Sequence, residues 1–286
     1  MSNIIVSVII PLYYGKKYIN EKIALLENAF RKAHIAGHAE IIFVNDSPDE
    51  DLSEMSETDF VRIVTNEKNE GIHHSRVNGL LQSRGAYIHF LDQDDEINID
   101  FYKSQLQIIR KRHSDVLIAN GIYERDAIEK VIYHNFIEKY NVLHASTYFL
   151  FDNRIISPGQ CLLKRNSIPK EWCENILDVS GADDFLLWII MFEKNRRFAY
   201  NDRVLYIHKN TGKNFSAGEG NLDASLKCVD KVYARLYPKG KYRRWLKFKM
   251  DYINGKKNTF GYKFFNRFYK IRIFILKMRE NKVVNT

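Results

Sequence analysis

Three carboxylates stand together in the stretch LDQDD: Asp92, Asp94 and Asp95 follow directly on the apolar run 87–91, YIHFL. Carboxylates spaced one apart can reach one hard divalent cation and the phosphates it bridges, because such cations take oxygen ligands. A buried strand ending in acids is where an open α/β sheet presents its ligand-binding groups. The same residues also fit an acidic loop in which Asp95 caps the next helix. A second acidic pair, Asp183–Asp184 in GADDFLLW, opens an apolar helix, where the dipole favours anions in the first turn.

The elements that must position these acids are legible as alternating periods. Residues 4–11 (IIVSVIIP) and 39–44 (AEIIFV) are continuous β-branched or apolar runs, the pattern of strands buried on both faces. Residues 61–65 form a third short strand and 87–91 a fourth. Between them, residues 18–36 carry Ile19, Ile23, Leu26, Phe30 and Ala33 on one helical face, with Gly37 as its end. Residues 69–84 read as a Gly-containing loop and a helix. This alternation predicts a parallel sheet over the first hundred residues or so. Tyr13, Asp46, Asp92 and Asp94 then all lie at carboxyl ends of strands and face one crevice.

Further along, residues 100–112 read as a helix, 115–120 as a fifth strand, and 155–163 as a strand pair around Pro158 and Gly159. Helices follow at 183–193 and 222–236, with a strand between them ending at His208. The segment 121–157 has no clean period.

The chain of 286 residues allows one large domain with additions, or two modest domains. Cys161, Cys173 and Cys228 are too few and too scattered for a disulfide framework or a zinc site, which suggests a reducing compartment. The N-terminal run has no basic region or cleavage site, so it reads as a strand and not a signal peptide. No apolar run approaches the roughly 20 residues of a membrane-spanning helix. The net charge of +9 is uneven: residues 239–282 hold fifteen Lys or Arg against two acids, leaving a slightly acidic body. Such asymmetry points to an anionic partner for the tail alone.

Four blocks in this order resemble the family 2 glycosyltransferases, inverting enzymes of the GT-A fold. VSVIIPLYYGKKYI is similar to the opening strand and loop, and FVNDSPDED to the second-strand acidic block. NEGIHHSRVNGLLQSRGAYIHFLDQDD is similar to the glycine-arginine helix followed by the DxD strand, and GADDFLLW to the acidic pair before the catalytic helix. The resemblance covers roughly residues 4–216. It implies an α/β GT-A fold: a Rossmann-like αβα sandwich with a mainly parallel sheet, plus a basic helical C-terminal extension. The expected domains are 1–220 (1–118 binding nucleotide sugar, 119–220 binding acceptor) and the extension 221–286.

Carried over residue by residue, the resemblance implies that Tyr13 packs on a uracil, with Pro11 beside it, and that Asp46 accepts from the base, although Asn45 replaces the usual first acid. Arg76 meets the diphosphate or an acid of the site. Asp92 and Gln93 belong to the donor site. Asp94, with Asp92, ligates Mn²⁺ or Mg²⁺. Asp184 is the general base, with Asp183 the alternative. His208 stands three residues before the position of the family's metal-completing histidine, which Thr211 occupies; His208 is still expected to serve, with Lys209 and Lys213 as phosphate-neutralising substitutes and Asn214 and Ser216 ordering a lid.

The expected reaction moves a hexose from a UDP-sugar to a saccharide, with a lipid-linked acceptor in view, in bacterial surface-polysaccharide synthesis. The cationic and aromatic tail suits an anionic bilayer at the inner face of the membrane in the cytoplasm. A helical pair whose aromatics pack on the catalytic domain is the plainer reading of that tail. No nucleic-acid partner is expected, and a homo-oligomer is left open. A nucleotidyltransferase-like enzyme and a non-catalytic sugar-nucleotide or membrane-binding module are the competing readings.

Overall fold

The computed structural model describes residues 3–209 apart from 56, 126–127 and 151–152, then 221–254 and six positions between 264 and 274. Strands β1 (Val6–Leu12) and β2 (Ala39–Asn45) are buried at every residue, as their unbroken apolar runs require. With β3 (Val61–Thr65) and β4 (Tyr87–Phe90) they form a parallel set in the order β3-β2-β1-β4. Helices α1 (Lys16–Lys32) and α2 (Gly71–Gln82) connect them.

Side-chain alternation divides the core into two layers. Along β2, Ile41 and Phe43 join Leu26, Phe30, Phe101 and Tyr102 on one face, whereas Ile42 and Val44 join Val77, Leu80, Trp172 and Trp188 on the other. Helix α1 stops at Lys32, earlier than its apolar period suggests. His34 takes the left-handed conformation (φ 56°) that ends it, and Gly37 lies in the loop beyond.

The second half completes a mixed sheet. After β5 (Glu96–Ile97) and α3 (Phe101–Arg112) come β6 (Val116–Arg125), β7 (Ile128–Val131), α4 (Phe136–Asn141) and α5 (Ala145–Leu150). Next are β8 (Cys161–Lys164), α6 (Lys170–Cys173), α7 (Asp183–Glu193) and β9 (Phe198–Lys209), then α8 (Asn221–Leu236) and α9 (Arg243–Ile253). The sheet continues β4-β8-β6-β9-β5, with β8 antiparallel to both neighbours and β7 paired to β6. The strand pair expected over 155–163 is a single strand: Pro158–Gln160 is a 3-10 turn, capped by Ser157, that leads into β8.

Two glycines fix α2. Gly71 opens it at φ 84°, a conformation that disfavours any Cβ. At Gly79 an added Cβ would lie 2.4 Å from Ile9 Cγ2, so the helix rests on the sheet more closely than a larger residue permits. Arg76 lies one turn earlier and is carried to the same depth.

The tail begins on the body, as the plainer reading anticipates for 243–253. Tyr242 stacks on Phe149 (centroids 4.5 Å apart), Leu246 and Met250 are buried, and Lys249 lies 4.3 Å over the Phe185 ring. Tyr233 of α8 donates to Glu193 of α7 at 2.6 Å. Among the described residues no helix is long and apolar enough to cross a membrane.

Candidate active site

At the end of β1 Tyr13 is 54% exposed, and its main chain is held on both sides by the Gln93 amide. Tyr13 N donates to Gln93 Oε1 at 3.0 Å, and Gln93 Nε2 donates back to Tyr13 O at 3.3 Å. The residue between the two aspartates thus ties the first loop to the β4 terminus. Pro11 is buried within β1, opposite Val44. Tyr14 adopts φ 44° and is held by Ser47 Oγ and Asp49, while Glu50 accepts from Gly15 N and Lys16 N at the start of α1. A cavity of about 500 Å³ opens beside this loop, lined among others by Asn45, Leu52, Met55, Ile63 and Thr65.

Asp46 is buried, and its carboxylate engages the approach to α2. Oδ1 accepts from Asn66 Nδ2 and Glu70 N and Oδ2 from Gly71 N, each at 2.8 Å. Asp46 therefore spends at least three hydrogen bonds on the framework.

The centre of the site is Arg76. Its NH2 donates to Asp92 Oδ1 at 2.6 Å and its NH1 to Asp183 Oδ2 at 2.7 Å. One guanidinium fork thereby joins the DxD strand to the start of α7, a geometry that a lysine's point charge does not reproduce. Ser157 Oγ donates to the other Asp92 oxygen at 2.9 Å. Burial alone lowers the Arg76 pKa, but Asp183 and Asp92 outweigh it and the net shift is upward.

The late pair is split by the same cation. Burial works against ionising Asp183, yet Arg76 overrides it and holds the carboxyl below its usual range. Asp184 is pushed up to about 7, chiefly by burial and then by the Asp183 charge. Its Oδ1 accepts from Phe185 N and its Oδ2 from Asn153 Nδ2, both at 2.7 Å. Two adjacent carboxyls with opposed shifts are the arrangement in which one stays a fixed anion and the other can exchange a proton near neutrality.

Asp94 is pushed up to about 6 by burial and by the neighbouring charges of Asp95 and Asp92. Among the described residues no salt bridge reaches it. Asp95 departs from its expected role: Asp100, not Asp95, precedes α3, and the Asp95 side chain turns to β9. There it accepts from Tyr206 OH and from Lys209 N (3.1 Å), and its Oδ1 lies 3.0 Å from His208 Nδ1. The cause is the antiparallel pairing of β5 with β9, which brings residues 95 and 208 together. Burial lowers the His208 pKa, but the hydrogen bond and charge of Asp95 prevail and raise it. Lys213, Asn214 and Ser216 lie outside the described residues.

Three participants escape a reading of the sequence as motifs. Lys22, 2% exposed, donates Nζ to the carbonyl of Asp95 from beneath. Its signal is a lysine on the apolar face of α1, three residues after Ile19 and four before Leu26. His89, fully buried in β4, bridges Tyr102 OH (2.8 Å) and Gly159 O (2.9 Å), and so anchors the turn that carries Ser157. Ser157 itself lies in the segment without periodicity.

A mixed α/β sheet with acids and an aromatic ring at the carboxyl ends of its parallel strands is the GT-A architecture. S. aureus TarS (residues 1–349) matches with a TM-score of 0.62 at 16% identity, covering 87% of this chain and 72% of that one; its structures include complexes with UDP and UDP-GlcNAc. The mannosyltransferase PcManGT from Pyrobaculum calidifontis, solved with GDP-Man and Mn²⁺, matches at 0.56 and 17% identity, covering 86% of this chain and 69% of that one. Residues 7–172 match the profile of Glycosyl transferase family 2, and the chain belongs to that family. An uncharacterised glycosyltransferase of Rickettsia bellii (strain RML369-C) is 34% identical over 124 residues, 42% of this chain and 17% of its own length. The uncharacterised glycosyltransferase EpsJ of Bacillus subtilis (strain 168) is 23% identical over 222 residues, 72% of this chain and 61% of its own. The chain thus spans less than two thirds of either curated relative.

Proposed function

We propose that this glycosyltransferase moves a hexose from a UDP-sugar to a saccharide hydroxyl with inversion, and that Asp184 is the base. The observation that carries this reading is the opposed pair: Arg76 keeps Asp183 an anion while Asp184 rises to about 7. A carboxylate near neutrality accepts the acceptor's proton as that oxygen attacks the anomeric carbon in line. The bond to the diphosphate breaks on the opposite side, so an α-linked donor gives a β-linkage. Tyr13 offers an exposed π surface to the base. The cavity beside Asn45 and Thr65 suits the uncharged end of the nucleotide, since Asp49, Glu50 and Asp51 also line it.

The residues fit a divalent ion held jointly with the donor. Asp94 is a half-buried carboxylate short of a countercharge, and Asp92 and His208 are near enough to act on its pKa. Among the described residues no group of three protein ligands forms a site alone, so the diphosphate and waters would complete the shell. Such an ion neutralises charge on the leaving diphosphate. TarS, solved with UDP and UDP-GlcNAc, and PcManGT, solved with Mn²⁺, support the donor class and the ion by likeness of fold.

A thermal-shift panel of UDP, UDP-GlcNAc, UDP-glucose and GDP-mannose, with and without Mn²⁺, tests the donor site. A ligand at a hundred times its Kd adds about 2.7 kcal/mol. At roughly 2–4 °C per kcal/mol for a chain of this size, that is a rise of about 5–10 °C. UDP compounds are expected to produce it, and more strongly with Mn²⁺. A flat response to every UDP compound would reject a uridine site at Tyr13.

The rest of the tail is assigned to an anionic bilayer that carries the acceptor. Phe264, Phe268, Ile271 and Phe274 are helical and exposed, at spacings of four, three and three, with Arg267 and Lys270 among them. Co-sedimentation with phosphatidylglycerol vesicles is the measurement. At about 1 kcal/mol per basic residue near the surface, Arg267→Glu with Lys270→Glu is expected to weaken binding tenfold or more. Equal binding to phosphatidylcholine vesicles would defeat the assignment.

A further inference from the structure

Asn153 lies in the stretch between α5 and β8, outside the four motif blocks, yet it holds the carboxylate assigned as base. Its Nδ2 donates to Asp184 Oδ2 at 2.7 Å, and its Oδ1 accepts from Ile155 N at 3.2 Å, which sets the side chain's direction. Ile155 is buried, so the anchor is fixed in the core. The same residue lines a cavity of about 170 Å³ with Tyr133, Glu138, Asn141, Arg154 and Ile156. Polar groups between apolar walls are what a saccharide needs for orientation.

We propose that Asn153 is the positioning residue of the base: from the wall of this cavity it fixes the Asp184 carboxylate at the start of α7 and tunes its basicity. The inference rests on the reading of Asp184 as base. With Oδ1 bound to Phe185 N and Oδ2 to Asn153, both oxygens are located before any substrate enters. A donated hydrogen bond favours the charged form, so Asn153 opposes the upward push of burial and Asp183. The other groups facing Asp184 are Asp183 beside it, Arg76 from α2, Tyr148 from α5 and Cys161 from β8. Burial raises both Tyr148 and Cys161, so neither supplies a charge near neutrality.

The test uses the full chain labelled with ¹³C-carboxyl aspartate and titrated by NMR without ligand, the Asp184 signal being the one absent from Asp184→Asn. In Asn153→Leu that signal is expected to titrate about one pH unit higher, and Asn153→Gln to return it most of the way. In UDP-GlcNAc hydrolysis the acid limb of kcat/KM should move by the same amount, with the donor KM changed less than twofold. An unmoved Asp184 titration in a folded Asn153→Leu protein overturns the inference. So does a donor KM that worsens in step with kcat, which a general loosening would produce. Neither result touches the reading beneath it, which is overturned separately if Asp184→Asn retains transfer.

Discussion

Asp184→Asn is expected to lower kcat for transfer by about 10³-fold, within the range ascribed to a positioned general base, while the Kd for the nucleotide sugar stays within twofold. The substitution is nearly isosteric. The oxygen of the new amide can still accept from Phe185 N, while the bond from Asn153 is kept only if the Asn153 amide turns and gives up the one from Ile155 N, so the substitution costs a single local hydrogen bond. What is lost is the capacity to take a proton. For the natural chain, kcat/KM should rise about tenfold per pH unit up to a plateau above pH 7, because Asp184 must be ionised to act and its pKa is pushed up to about 7.

The stability profile gives an independent check with a definite sign. Asp184 has a folded pKa above the unfolded aspartate value of about 3.9, so the folded state holds the proton more tightly. Its contribution is fully present below pH 4 and is lost as pH rises toward 7. Asp184→Asn removes that loss. The variant should match the natural chain near pH 4 and exceed it in Tm near pH 8. A variant that is inactive because it is misfolded would be less stable at every pH, and one that keeps its activity would remove Asp184 from the mechanism.

The parallel half of the fold was legible because its central strands β1 and β2 are buried on both faces and therefore written as apolar runs, VSVIIPL and AEIIFVN. The acids could be placed in one crevice because parallel strands share a direction. The antiparallel insertion of β8 could not be read: CLLK is four residues long, and nothing local says that it pairs with Ile88 on one side and Ile118 on the other. Residues 121–157 were opaque for a similar reason. They hold the end of β6, a short hairpin strand and two six-residue helices, and six residues do not display a 3.6-residue period. Asn153 and Ser157 lie in that stretch, so two contacts that shape the acids were out of reach. Asp95 was misread because a cap is a local inference, whereas its real partners, Tyr206, His208 and Lys209, are more than a hundred residues away.

Arg76→Met is expected to destabilise the fold by about 3–5 kcal/mol, the cost of stranding a buried charge, which at roughly 2–4 °C per kcal/mol is a fall in Tm of about 6–20 °C. The methionine fills the space of the stem, so the effect isolates the guanidinium. Asp183, 2% exposed, has no other salt-bridge partner among the described residues. Without the cation its burial is no longer outweighed, and its pKa should move from below to above the unfolded value. The sign of its contribution then inverts: in the variant, Asp183 should add to the gain in stability that Asp184 already gives as pH falls from 8 to 5, whereas in the natural chain Asp183 contributes fully above about pH 4 and loses that contribution only at lower pH. Arg76→Lys should restore only part of the loss, since one ammonium does not reproduce the fork to Asp92 and Asp183. The double variant Arg76→Met with Asp183→Leu separates stability from chemistry. Apolar replacement of a buried ion pair can recover stability, so its Tm should approach that of the natural chain. Its transfer rate should stay at the level of Arg76→Met, because Asp92 has lost the guanidinium that oriented it and Asp184 the fixed anion beside it. If the double variant regained activity together with stability, Arg76 would be a prop for the fold alone, and the link from the DxD strand to the base would carry no chemistry.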